Sequence, residues 1–363
     1  MKTVVIGGYG NFGAHIAAKL VREGICEVIV AGRDGRKASE FADALGCDGA
    51  GIDTRSPELA ARLAALRPDV VISTAGPFQG QDYRVARASL AAGAHYIDIA
   101  DGREFVCGIA QLDAHARACG RVAIAGASSV PALSSAVVDR YAGEFARIDA
   151  IDIGISTAQR PPGLATTRAV LGYAGMRIPG WREAAAIDAR GWQGLRRHTF
   201  AAPIGTRWLC DCDVPELELF PTRYTGVREV RFGAGVELAA VQWGLWALAW
   251  AVRARLVPDL SRWATTLHAA SRELERFGSG GSAMFVELRG VDASGSARRR
   301  CWELIAGGWA GAQVPAMAAV ALARRLAAGQ SPRAGAMACV GLLSLEQYLA
   351  ELSGLDVVVR EAL

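Results

Sequence analysis

The sequence predicts an α/β protein: a Rossmann-type doubly wound parallel sheet followed by a second α/β (α+β) domain with a mixed sheet. Three observations carry this. The β-branched run Val4-Val5-Ile6 leads directly into Gly8-x-Gly10-x-x-Gly13. Apolar strand patterns and helical patterns then alternate up to residue 125, which implies parallel strands joined by crossover helices. A fresh strand begins at Ile148, where Ile151, Ile153 and Ile155 alternate with Asp152 and Gly154. With 363 residues the chain is long enough for two cores. The expected division is 1–127 for the first domain and 128–330 for the second, with 331–363 returning to the first.

Taken in order, the first domain should hold strands at 4–6, 27–31, near 52, 69–72, 95–99 and 121–125. Helices are expected between them at about 14–20, 35–45, 57–66, 82–92 and 104–118. The second domain should add extended segments at 148–156, 196–201, 206–211 and 227–233. A hairpin of 284–290 and 299–305 is expected about the turn Asp292-Ala-Ser-Gly295. Helices are expected at about 260–277 and 314–328, and a short surface helix at 345–352.

The glycine turn carries the first chemistry. In a dinucleotide-binding turn Gly8 permits the strand-to-helix reversal, Gly10 lets the backbone approach a pyrophosphate, and Gly13 lets the helix pack closely. Asn11 and Phe12 complete the loop, and the helix N-terminus offers its amides to phosphate. At the end of the second strand the sequence reads Ala31-Gly32-Arg33-Asp34. Glycine stands where an NAD-binding carboxylate is expected, and an arginine beside it suits a 2′-phosphate, so the cofactor expected is NADP in preference to NAD. Lys37 is a possible helper, and Asp34 reads equally as the cap of the next helix. Asp53, just past the third strand, is counted with the cofactor-binding residues. So are Thr74, Ala75, Gly76 and Pro77 in the run Ser73 to Phe78, at the carboxyl end of a central strand. Asp98 and Asp101 follow the fifth strand. Both are candidates for orienting substrate or relaying a proton, and Asp101 has the alternative of capping the helix near Arg103.

Taken together, G-G-Y-G-N-F-G, A-G-R-D, S-T-A-G-P-F, H-Y-I-D-I-A-D and A-G-A-S-S-V-P-A-L-S resemble the saccharopine dehydrogenase-like oxidoreductases. The likeness is concentrated in the N-terminal third. It implies an NAD(P)-binding first domain, a second domain that helps enclose substrate and makes a homodimer, and a C-terminal segment that returns to the first. The family spans saccharopine reductases, lysine dehydrogenases, polyamine-precursor synthases and enoyl reductases. Serines 128 and 129 stand where an acidic residue is common in the reductases.

The remaining residues bound the function. Only Lys2, Lys19 and Lys37 are lysines, which excludes a catalytic lysine from the second domain. The basic runs Arg196-Arg197 and Arg298 to Arg300 lack interleaved aromatics and read as solvated faces, so no nucleic-acid partner is expected. Eight scattered cysteines and the absence of a secretory signal point to a cytoplasmic protein. Cys210-Asp-Cys212 lacks a second ligand pair, and no metal is expected. Arg160 and Arg168 read as substrate clamps or as surface arginines, and His198 as a conceivable acid or a structural histidine. The apolar stretch 237–257 is too short to span a bilayer. Its Trp243, Trp246 and Trp250 share a face suited to core or dimer packing, to a tunnel, or to a membrane surface. The expectation is an NADP-dependent oxidoreductase acting on an imine, carbonyl or enoyl group of a small molecule. The alternatives are a non-catalytic NADP(H) sensor or assembly protein, and a membrane-associated lipid reductase.

Overall fold

Continuous apolar runs, rather than alternation, mark strands covered on both faces. In the computed structural model, which describes residues 1–159 and 163–362, this is how the first strands lie, apart from the partly exposed edge strand Asp48–Gly51. They are β1 (Lys2–Ile6), β2 (Glu27–Gly32), β3 (Asp48–Gly51), β4 (Val70–Ser73), β5 (His95–Asp98) and β6 (Val122–Ala125). Val4, Val5, Val30, Val70, Val71, Ile72, Ile97 and Val122 to Ala125 are wholly buried. Further on come β7 (Arg147–Thr157), β8 (Arg177–Arg182), β9 (Ala185–Arg190), β10 (Arg196–Phe200), β11 (Gly205–Asp211) and β12 (Glu229–Val236). The chain ends with β13 (Ser282–Val291), β14 (Ala297–Ala306), β15 (Gly335–Ala338) and β16 (Val357–Ala362).

The first sheet runs β15-β6-β5-β4-β1-β2-β3 with every pairing parallel. Strand order reverses between β1 and β4, so a crevice opens at their carboxyl ends. The helix Gly13–Arg22 buries Ile16, Ala17 and Leu20. Each of the two larger side chains contributes roughly 1.5–3 kcal/mol by leaving water. Asp34 caps the helix Gly35–Leu45 through the Lys37 amide, and Gly46 ends it at φ 72°. The single helix expected at 104–118 is broken into Arg103–Gly108, a 3-10 turn and Asp113–Ala118. Gly108 is the break. A Cβ there would stand 2.6 Å from the Tyr83 hydroxyl, which donates to the Phe105 carbonyl.

The chain forms two compact units, Met1–Ala136 with Ala312–Ser353, and Val137–Gly311 with the segment from Gly354 onward. These divisions differ from residues 127 and 330. The helix Met317–Ala327 is already in the first unit, where its residues 317–323 are all buried. Arg324 binds Glu351 and Glu23, and the buried Lys19 ammonium lies 2.6 Å from Glu23 and 3.5 Å from Glu351. The segment 345–352 is not a surface helix. Leu345 and Tyr348 are buried, and the Tyr348 hydroxyl donates to Val314.

In the second unit the sheet runs β10-β11-β12-β7-β13-β14-β16, with the β8–β9 hairpin attached to β12. Only β7 and β12 pair in parallel. Ile153 lies opposite Val286, and Val286 opposite Trp302, in the apolar layer on one face. On the other face Phe285 fills the space that Gly154 leaves. The His198 ring stacks on Phe285 at 3.7 Å between centroids, and its Nε2 lies 3.2 Å from Glu303.

Candidate nucleotide-binding edge

The turn after β1 is built from backbone. Gly7 adopts φ 77°, and its amide and that of Gly8 donate to the Ala31 carbonyl at 2.8 and 3.1 Å. Gly10 then donates to the Gly7 carbonyl at 2.8 Å, and the Ala14 amide returns to Gly10. A Cβ on Gly13 would overlap the Gly7 oxygen and stand 2.8 Å from the Gly8 Cα, so only glycine lets the helix start so close to the strand. Phe12 occupies the N-cap position, and no side chain caps this helix. Asn11 is exposed and Phe12 half-buried beside it. With the Gly7, Gly8, Gly10 and Ala14 amides used within the turn, the Asn11 to Gly13 backbone at the helix start is the part left at the crevice between β1 and β4, where a pyrophosphate fits.

Arg33 is exposed at the end of β2, and Lys37 is exposed one turn on. Asp34 performs the capping role. A contact that sequence spacing does not reveal lies here. The ring of Tyr9 rests on Gly32, and the Tyr9 hydroxyl accepts the Asp34 amide at 3.1 Å. Asp53 is exposed past β3, where its carboxylate accepts the Arg55 amide at 2.9 Å and shapes the local turn.

Thr74 joins β4 to the glycine turn. Its hydroxyl donates toward the carbonyls of Ile6 and Gly7 at 3.0 and 3.1 Å, and its amide donates to Ile6. Gln81 holds the Ala75 and Pro77 carbonyls at 2.9 and 2.6 Å, with Gly76 between them. The structure thus brings Gly8, Gly10, Asn11, Phe12, Gly13, Thr74, Ala75, Gly76 and Pro77 to one edge, flanked by Arg33.

The two acids separate. Asp98 is 0% exposed, and its Oδ1 accepts the amides of Ala100 and Gly126, each at 2.9 Å. Burial raises its pKa to about 7, while the Gly126 and Ala100 amides and the neighbouring Tyr96 hydroxyl pull the other way. Closed off from solvent, this carboxyl fastens the exit of β5 to that of β6 through its Oδ1. Asp101 is half-buried and accepts from Gln79 Nε2 at 3.3 Å. Burial pushes its carboxyl above the usual range against the pull of Gln79. It does not cap the following helix, whose N-cap is Gly102 without a side-chain bond.

Elsewhere the expectations for lone residues resolve into local structure. Arg196 bridges Asp152 and Asp211 at 2.9 Å each, and Arg298 and Arg300 both bind Glu144, so these runs are not merely solvated faces. Arg168 is exposed on the helix Leu164–Gly172, and Arg160 lies outside the described residues. Cys210 and Cys212 are buried free thiols. On the helix Ala239–Arg253, Trp243 and Trp250 are 41% and 42% exposed, which corrects the core reading. No helix among the described residues is long and apolar enough to cross a membrane.

A doubly wound parallel sheet with a glycine turn and an uncapped helix at its switch point defines an NAD(P)-binding oxidoreductase fold. Residues 3–124 match the family model described as the saccharopine dehydrogenase NADP binding domain. Over that third of the chain the sequence is thus similar to an NADP-binding domain of the saccharopine dehydrogenase type. Among solved structures, the apo saccharopine dehydrogenase (L-Glu forming) from Saccharomyces cerevisiae is similar over 100% of both chains, at 12% identity and a TM-score of 0.70. That likeness is one of fold, and it extends through both units. A probable dehydrogenase from Thermotoga maritima matches at 9% identity over 97% of this chain and 93% of its own, with a TM-score of 0.47. A meso-dapdh mutant with DAP from Clostridium tetani E88 matches at 12% identity over 97% and 96%, also at 0.47. No curated protein matches the chain.

Proposed function

We propose that this chain is an NADP-dependent oxidoreductase that moves a hydride to or from an imine, carbonyl or enoyl group of a small molecule. The observation that carries the reading is the cradle at the switch point: a turn in which Gly8 and Gly13 leave no room for a Cβ, a helix start without a side-chain cap, and exposed Arg33 at the ribose position. The bound nicotinamide supplies the hydride chemistry. The protein's own residues bind and position. The turn amides hold the pyrophosphate, Arg33 pairs with the 2′-phosphate, and the Thr74 to Pro77 backbone supports the far end of the cofactor. Asp101 is the carboxyl of this edge assigned to orienting substrate or holding a proton, since Asp98 is committed to the backbone.

Isotope-labelled NADPH offered with candidate imines, carbonyl compounds and enoyl thioesters tests this directly. Label transferred to any one class supports the proposal, and loss of that transfer in Asp101→Asn supports the role of Asp101. Tight NADPH binding with no transfer to any of them favours the second reading, a non-catalytic NADP(H) sensor or assembly protein. One observation speaks for that reading: of the two acids at the edge, one is sealed into the backbone. The expected homodimer through the second unit belongs to the same proposal, and light scattering that shows a monomer removes it.

A further inference from the structure

We propose that Tyr9 determines cofactor specificity by holding the place of a side chain at position 32. The inference rests on NADP as cofactor and goes beyond the pairing of Arg33 with the 2′-phosphate. A Cβ built on Gly32 overlaps the Tyr9 ring, standing 2.7 Å from Cζ and 2.8 Å from the hydroxyl oxygen. An NAD-type site needs a carboxylate at this strand end to receive the ribose 2′-hydroxyl. Here the position is filled from the neighbouring strand's exit, by a residue 23 places earlier in the glycine turn. The contact is also anchored. The Tyr9 hydroxyl accepts the Asp34 amide, so the same ring that covers Gly32 steadies the segment from which Arg33 projects.

The two residues therefore act as a pair. Gly32 is free of a side chain because Tyr9 lies on it, and Tyr9 lies flat because position 32 has no Cβ. Installing the carboxylate alone forces the ring out of its place and removes the bond to Asp34. Removing the ring alone leaves room at position 32 with nothing to recognise a 2′-hydroxyl. Only the two changes together build a site for NADH.

The test is a double-mutant cycle on the full chain: wild type, Tyr9→Ala, Gly32→Asp, and the two combined. NADPH and NADH are the probes, read by cofactor fluorescence on binding, so no substrate is needed. Thermal melting and circular dichroism confirm that each variant is folded. The expected result is that Gly32→Asp weakens NADPH without gaining NADH. The double variant should bind NADH at least about tenfold more tightly than Gly32→Asp does, a coupling within the range for residues in contact. Should Gly32→Asp unfold the first unit, recovery of the fold in the double variant shows the same coupling. Equal NADH affinity in the single and double variants overturns the proposal, and so does failure of both to bind NADH. Arg33→Ala separates this from the underlying reading: if that change leaves NADPH binding intact, it is the NADP assignment that fails.

Discussion

Replacing Asp98 with asparagine should remove a pH dependence from the stability of the first unit. In the fold this carboxyl has a pKa of about 7 against an ordinary 3.8, because burial penalises its charged form more than two backbone amides favour it. The folded state therefore holds its proton where the unfolded chain has released it. Stability from this group is fully present below the ordinary carboxylate range and is lost as pH rises through about 7. At about 1.4 kcal/mol per unit, the loss between pH 5 and pH 8 is about 3 kcal/mol, or about a hundredfold in the opening equilibrium. Asparagine keeps an oxygen for the Ala100 and Gly126 amides and has no proton to lose. All nine tryptophans lie in residues 137–311, so intrinsic fluorescence reports the second unit and is the wrong probe. Amide hydrogen exchange of peptides containing 95–101 and 122–127, compared between wild type and Asp98→Asn at each pH, reads the first unit directly. Wild-type protection should fall relative to the variant as pH rises from 5 to 8. Parallel curves, or a wild type that gains on the variant, would refute the buried-carboxyl account.

Gly13→Ala places a methyl against the Gly7 carbonyl and the Gly8 Cα, so the helix must withdraw from the strand. NADPH affinity should fall at least about tenfold, with a stability loss of about 1–3 kcal/mol from overpacking, measured by cofactor titration and melting. In the second unit, Glu237 accepts the Gln159 and Ser279 amides and lies 3.6 Å from Arg207. Burial acts to raise its pKa, but the Ser279 and Gln159 bonds and Arg207 outweigh it and leave the pKa below the usual range. Its stabilisation is thus present above the ordinary carboxylate pKa and lost as pH falls through the lowered one. Glu237→Ala leaves Arg207 its bond to the backbone carbonyl of residue 237 and should cost about 1–3 kcal/mol by leaving the Gln159 and Ser279 amides without their acceptor, seen as a lower urea midpoint in tryptophan fluorescence. An unchanged midpoint would show that these bonds form equally well to water.

The first sheet was legible because Val, Ile and Ala runs recur between helical patterns, and β1, β2, β4, β5 and β6 fall where those runs stand, while β3 (Asp48–Gly51) carries no such run and was expected only from its place ahead of Ile52. Its seventh strand was not legible. Gly335-Ala336-Met337-Ala338 has no β-branched residue, and it is a strand only because β6 offers it a parallel partner. The run Val357-Val358-Val359 reads as a strand but does not name its sheet. Pairing with β14 places it in the second unit, where the expectation had returned it to the first. The β8–β9 hairpin was hidden by Pro179 and by a turn at Glu183-Ala184 that takes positive φ without glycine or asparagine. At the site, the glycine turn and Arg33 are local patterns and could be read directly. The roles of Asp98 and Tyr9 depend on partners 28 and 23 residues away, Gly126 and Gly32, and only the closed sheet brings these together.

The central claim is that the cradle after β1, with Arg33 beside it, binds NADP through its 2′-phosphate. Titration of wild type and Arg33→Ala with NADPH and NADH tests it most directly. The account expects wild type to prefer NADPH. It expects Arg33→Ala to lose about 10- to 100-fold in NADPH affinity, the range for one charge-assisted phosphate contact, with NADH affinity unchanged. Equal NADPH binding by the two proteins would contradict it.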